Sequence, residues 1–154
     1  MSSIADALYE LKYNPFEYGK YIASFYTAMG ESEHNLLLAP LVIPLCSHPV
    51  FGKKVSSAVF GDKKQSSIWS IFSDRTKLFD LQERIDGFQV LTEQCVQYCL
   101  INDWLSINEQ RLSLSTCDGS GSAFTRQKSA EKLGRLFSGH SVIEIYAFLG
   151  VKPR

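Results

Sequence analysis

The 154-residue sequence predicts a mainly α-helical domain with one small β-hairpin and a winged-helix-like C-terminal part. Three observations predict it. Apolar residues recur at helical spacing through most of the chain. Start and stop signals punctuate those stretches: Asn14-Pro15 and Ser66-Ser67 open helices, and Gly30, Gly139 and Gly150 close them. One stretch, 104–116, reads as strand, turn, strand. No linker divides the chain, so 1–154 is expected as one domain, with a helical part over about 1–102 and the winged-helix-like part over about 103–154.

The elements follow in order. Ile4, Leu8 and Leu11 sit at helical spacing and predict a short N-terminal helix or docking arm. Asn14 can cap the next helix, Pro15 suits its first position and Glu17 can complete a capping box. That helix should run to Met29, with Phe16, Ile22, Ala23, Phe25, Tyr26 and Met29 as its apolar stripe. Residues 36–49 are almost unbroken apolar sequence, too short for a membrane span. They predict a buried central segment wrapped by other helices, kinked or interrupted because Pro40 and Pro44 each remove a backbone donor. Residues 52–67 read as a loop and a short turn. Ser66-Ser67 then caps a helix carrying Ile68, Ile71, Phe72, Arg75, Leu78 and Phe79.

From Asp80 a long amphipathic helix should continue to about Asn102, with Gly87 marking a close approach or a break. In the second strand Leu112, Leu114 and Thr116 alternate with Ser113 and Ser115, which predicts one buried face. Residues 117–122 read as a loop tip. Lys128–Phe137 and Ser141–Leu149 are the last two helices.

Composition narrows the function. Hydrophobic residues make up 45% and the formal net charge is zero, so the chain can build a core and has no global pull toward nucleic acid or anionic membrane. The N-terminus lacks the pattern of a secretory signal, so a cytoplasmic protein with reduced thiols is expected. Cys95 and Cys99 share a helix face without a second pair and read as buried thiols, not metal ligands. His34, His48 and His140 each sit beside a helix end or loop. No HxxxH, HExxH or GxSxG pattern is present. No catalytic, cofactor-binding or metal-binding residue is therefore assigned, and no enzyme, small-molecule substrate or membrane partner is expected.

From Gly119 onward, six basic residues stand against two acidic ones, Glu131 and Glu144. Arg126, Lys128, Lys132 and Arg135 are the candidates for DNA contact; an exposed polar face or a surface for an acidic protein is the plainer reading. A stand-alone winged-helix DNA-binding protein remains an alternative.

Four stretches together resemble a known family. They are Tyr13-Asn-Pro-Phe-Glu17 leading to Tyr26, the Leu/Pro-rich 36–45 with His48-Pro49, Leu81-Gln-Glu-Arg-Ile85, and Ala130-Glu-Lys-Leu-Gly134-Arg-Leu-Phe137 followed by 145–153. In order and spacing they are similar to the middle component of bacterial three-component ABC systems. That family includes the small subunit of Lamassu-type anti-phage defence. The resemblance implies a non-catalytic adaptor that bridges an SMC-like ATPase and a nuclease-like effector, with DNA reached through the complex. With seven Tyr, ten Phe and two Trp in the chain, some aromatics are expected as interface anchors. Tyr13, Phe16, Tyr18, Tyr146, Lys152 and Pro153 are the candidates.

Overall fold

The computed structural model describes residues 3–61, 65–119 and 123–153. Met1, Ser2, Asp62, Lys63, Lys64, residues 120–122 of the expected loop tip and Arg154 lie outside the described residues. The helices are α1 (Ile4–Lys12), α2 (Pro15–Met29), α3 (Ala39–Cys46), α4 (Phe51–Ser56), α5 (Ile68–Ile71), α6 (Leu81–Gly87), α7 (Gln89–Ile101), α8 (Lys128–Phe137) and α9 (Val142–Leu149). Strands β1 (Leu105–Asn108) and β2 (Ser113–Thr116) pair antiparallel, with Leu105 opposite Thr116 and Asn108 opposite Ser113. The protein is therefore mainly helical with one two-stranded hairpin, as the sequence predicts.

The apolar stretch 36–49 forms the centre. A 3₁₀ turn, Asn35–Leu38, leads into α3, which buries Ala39, Leu41, Val42, Ile43, Pro44 and Leu45. Pro40 occupies the first turn of α3, where no backbone donor is needed. Pro44 lies inside the helix; its own carbonyl accepts from Arg84 Nε and Nη2 at 3.4 and 3.3 Å. Helices α2, α4, α6, α7 and α8 all pack on α3. One hydrophobic cluster runs from Ile22 on α2 to Val151 beyond α9, drawing on both the helical and the C-terminal parts.

Helix α8 shows why the C-terminal part does not stand apart. Its inner face, Ala130, Leu133, Leu136 and Phe137, is buried, and its principal partner is α2. Gly134 sets the approach: a Cβ there would lie 2.5 Å from the Phe25 carbonyl oxygen and 3.0 Å from the Met29 nitrogen. Only a residue without a side chain lets the two backbones come this close.

Several expectations are corrected. Asn14 caps α2, its Oδ1 accepting from Glu17 N at 3.0 Å, but Glu17 does not close a capping box and pairs with Lys20 at 3.7 Å instead. Residues 51–56 are helix α4, not loop. His48 makes that helix start, because its Nδ1 accepts from Val50 N at 3.1 Å and Phe51 N at 3.2 Å. The expected helix from 67 to 79 stops at Ile71. Asp74 then ties a separate 3₁₀ turn, Arg75–Lys77, by accepting from Thr76 N and Oγ1. The stretch from Asp80 does break after Gly87 into two helices, one of the two roles expected of that glycine. In β2 the expected alternation fails. Leu112 takes a left-handed turn conformation (φ 49°) and is exposed, while Ser113 and Leu114 are both buried. Ser113 is accommodated because its hydroxyl donates to Glu31 Oε1 at 3.1 Å.

Candidate partner-docking surfaces

The N-terminal arm leaves a stripe of apolar side chains exposed. Helix α1 begins with a full capping box: Ser3 Oγ accepts from Asp6 N at 3.1 Å, and Asp6 Oδ2 accepts from Ser3 N at 3.0 Å. Those two hydrogen bonds hold the Asp6 carboxyl below the usual carboxylate range. Asn14 joins the arm to the body. Its Nδ2 donates to the Glu10 and Leu11 carbonyls at the end of α1, while its Oδ1 caps α2. Below the arm runs an aromatic ladder. Tyr9 meets Tyr13 at 4.8 Å between ring centroids, Tyr13 meets Tyr18 at 5.6 Å and Phe88 at 5.3 Å, and Tyr18 meets Tyr21 at 5.0 Å. Burial, with Tyr13 alongside, pushes the Tyr18 hydroxyl up to about 12.

Anchored at its base, α1 buries none of its nine residues. Ile4, Leu8 and Leu11 are 82%, 62% and 74% exposed. They recur at intervals of four and three residues, the spacing of one apolar helical stripe. An isolated helix of nine residues is marginal in water, and each such side chain gains about 1.5–3 kcal/mol when fully buried. Phe16 continues the exposed surface at 74%, its ring edge-on to Tyr98.

A second apolar surface lies at the other end of α2. Ile143 on α9 is 82% exposed. Trp69 meets the His140 and Phe148 rings at 5.2 and 5.9 Å, and Arg75 stacks on Phe148 while donating to its carbonyl. His140 and Ile143 share a cleft of about 290 Å³ with Glu33 and His34, just past the α2 C-terminus. Phe16 sits in the first turn of α2, so the two surfaces are separated by its 15 residues, or about 22 Å. A third feature, an apolar groove lined by Leu36, Pro40, Val96 and Leu100, runs between α7 and the start of α3.

The expected anchors divide. Tyr13 and Tyr18 are half-buried at the base of the arm, and Phe16 is presented to solvent. Tyr146 is not presented: it is 5% exposed, and its hydroxyl donates to the Leu37 carbonyl. Lys152 and Pro153 are exposed, but the backbone of Lys152 is held by Gln82, whose Oε1 accepts from Lys152 N at 2.8 Å. Periodicity found Ile4, Leu8 and Leu11. Trp69 and Ile143 are not among the expected anchors; Ile143 lies beside the buried stripe of α9, and Trp69 beside that of α5.

The four basic candidates do not form one free face. Arg126 pairs with Glu131 at 2.9 Å. Lys132 Nζ donates to the Ser56 and Ala58 carbonyls at 2.9 and 2.7 Å, closing the end of α4. Arg135 lies over the Phe60 ring at 4.2 Å. Lys128 is exposed.

His48 serves the fold. Both Nδ1 contacts of His48 come from backbone donors, and its Nε2 lies 3.9 Å from Asp80 Oδ1. Burial, and then Arg84, lowers its pKa and favours the neutral ring. Burial pushes the Cys95 and Cys99 thiols up to about 12, far from the reactive thiolate range. Among the described residues no group of three His, Cys, Asp or Glu is placed to hold a metal ion, and no helix is long and apolar enough to cross a membrane.

Comparison with curated proteins and with solved structures finds no match. The family comparison does: the family described as ABC-three component (ABC-3C) system Middle Component 3 matches residues 2–153. That span takes in the arm, the central α3 and the α8–α9 end alike. The chain belongs to the Middle Component 3 family of ABC-three component systems.

Proposed function

We propose that this protein is the non-catalytic adaptor of its three-component system, bridging an SMC-like ATPase and a nuclease-like effector in anti-phage or anti-plasmid defence in the cytoplasm. The carrying observation is α1, a capped helix anchored by Asn14 that leaves Ile4, Leu8 and Leu11 in water. The surface around Ile143 and Trp69, at the far end of α2, supplies a second contact, as a bridge requires. In this reading the adaptor keeps the effector inactive while the ATPase scans DNA. A movement of the ATPase heads passes through the adaptor and frees the effector.

The test is coexpression of the chain with its two neighbouring components, followed by sizing and mass spectrometry. Wild type is expected in one particle with both. Leu8→Asp and Ile143→Asp are each expected to lose one component while keeping the wild-type circular dichroism and urea midpoint, since both side chains are exposed. Normal assembly of ATPase and effector without the chain, or with both variants, would overturn the reading.

A further inference from the structure

We infer that Arg135 and His140 form a phosphate-binding cleft between α8 and the segment that opens α5. The cleft, about 290 Å³, is lined by Arg135, His140, Ser66, Ser67 and Ser138. Among the described residues, four of the five arginines have their guanidinium N–H groups engaged. Arg75 donates to the Phe148 carbonyl, Arg84 to Pro44 O and Ser47 Oγ, Arg111 to Glu31 and Arg126 to Glu131. Arg135 makes no hydrogen bond or ion pair; its contact is the face of Phe60, 4.2 Å from the ring centroid. Stacking fixes the plane of the guanidinium and leaves its N–H edge open, the arrangement that suits two oxygens of a phosphate.

The surroundings act in both directions. Lys132 lies close enough to Arg135 for the two charges to act on each other, although Lys132 itself is tied to Ser56 and Ala58. The serine hydroxyls offer neutral donors. His140 meets Glu144 through Nδ1 at 3.3 Å, and in the protonated ring its Nε2 donates to a phosphate oxygen. Against an anion stand the Glu144 carboxylate and the carbonyl end of α8. The latter amounts to roughly half a charge, which the full charge on Arg135 exceeds, and the Glu144 carboxylate is held by His140 Nδ1.

The ligand class is a phosphate group, either free or in a phosphodiester backbone. The site stands whether or not the chain is an adaptor, because it is tested on the isolated full chain. Backbone amide resonances would be followed during separate titrations with inorganic phosphate and with a short random-sequence DNA duplex. Both probes are expected to move the amides of 65–67 and 138–140. Arg135→Gln is expected to lower affinity by about tenfold, the loss of a charge-assisted pair, Arg135→Lys by less, and Lys128→Gln by under about twofold. A duplex that binds more tightly than phosphate, with a steep salt dependence, identifies the phosphodiester source; equal affinities identify a free phosphate. Either result supports the site. No saturable shift at those amides with either probe, or equal weakening by Lys128→Gln and Arg135→Gln, overturns it.

Discussion

Replacing Gly134 by alanine tests whether α8 is seated on α2 by backbone contact. Helix propensity alone favours alanine by about 1 kcal/mol. Packing opposes it. The new methyl would sit 2.5 Å from Phe25 O, 3.0 Å from Met29 N and 3.2 Å from Ala28 Cβ. The two closest atoms are backbone and cannot rotate away, so α2 and α8 must separate. Opening an interface by about 0.5–1 Å forfeits a quarter to a half of its dispersion attraction. Overpacking of this kind costs about 1–3 kcal/mol, and contacts fixed in backbone belong at the upper end. After the propensity gain, the net loss is about 2 kcal/mol, which lowers the melting temperature by about 4–8 °C in a domain of this size. Urea unfolding followed by circular dichroism measures it, with Gly87→Ala as the control. Gly87 is helical too, the last residue of α6, but its Cβ would meet nothing within 4 Å, so that variant should be neutral or gain up to about 1 kcal/mol. If Gly134→Ala were as stable as wild type, the account of α8 as a helix seated by close approach would be wrong.

Two further outcomes follow from the buried polar contacts. Asn35 is fully buried; its Nδ2 donates to the Gly30 and Leu114 carbonyls and its Oδ1 accepts from Leu114 N at 2.6 Å, so Asn35→Ala should cost about 2–3 kcal/mol by orphaning those groups and should raise hydrogen exchange in β2 first. The Cys95 and Cys99 thiols, raised from 9.0 to about 12, stay neutral in the folded chain while the unfolded chain ionises; stability present below pH 9 should therefore fall as pH rises through 9–12, by at most about 1.4 kcal/mol per pH unit for each thiol, and a double Cys→Ala variant should flatten that limb of a pH series of urea midpoints.

What was legible in the sequence was local. Lys128–Phe137 is bounded as expected because its apolar positions recur without interruption and Gly139 (φ 86°) follows. The start at Asn14-Pro15 and the stop at Gly30 hold for the same reason: capping depends on residues within one turn. The buried centre at 36–49 was legible because so apolar a run has nowhere else to go. What escaped was set by distant partners. Helix α4 is nucleated by the ring of His48, a residue that reads as a terminator of the preceding helix. The phase of β2 is set by Glu31 and Asn35, which lie some 80 residues earlier and hold Ser113 and Leu114. Lys132 reads as a free cation, yet its acceptors are two carbonyls 76 and 74 residues away in the chain.

The two ends of the molecule differ in what their apolar stripes meet. An apolar stripe in sequence says that a helix has a face to bury, but not what buries it. In α8 and α9 the stripe meets the protein's own core. In α1 it meets nothing, and the residue that could have let the arm fold back, Asn14, instead fixes it outward by capping both helices at once. Tyr9 turns toward the body through Tyr13, while Ile4 and Leu8 are largely in water and Leu11, 74% exposed, borders a cleft with Tyr18 and Tyr21. Removing the arm should therefore leave the cooperative unfolding of the remainder nearly unchanged, because no core side chain comes from α1. An arm so placed adds nothing to the stability of the isolated chain. In the adaptor proposed above, its apolar stripe is the surface that a partner protein would cover.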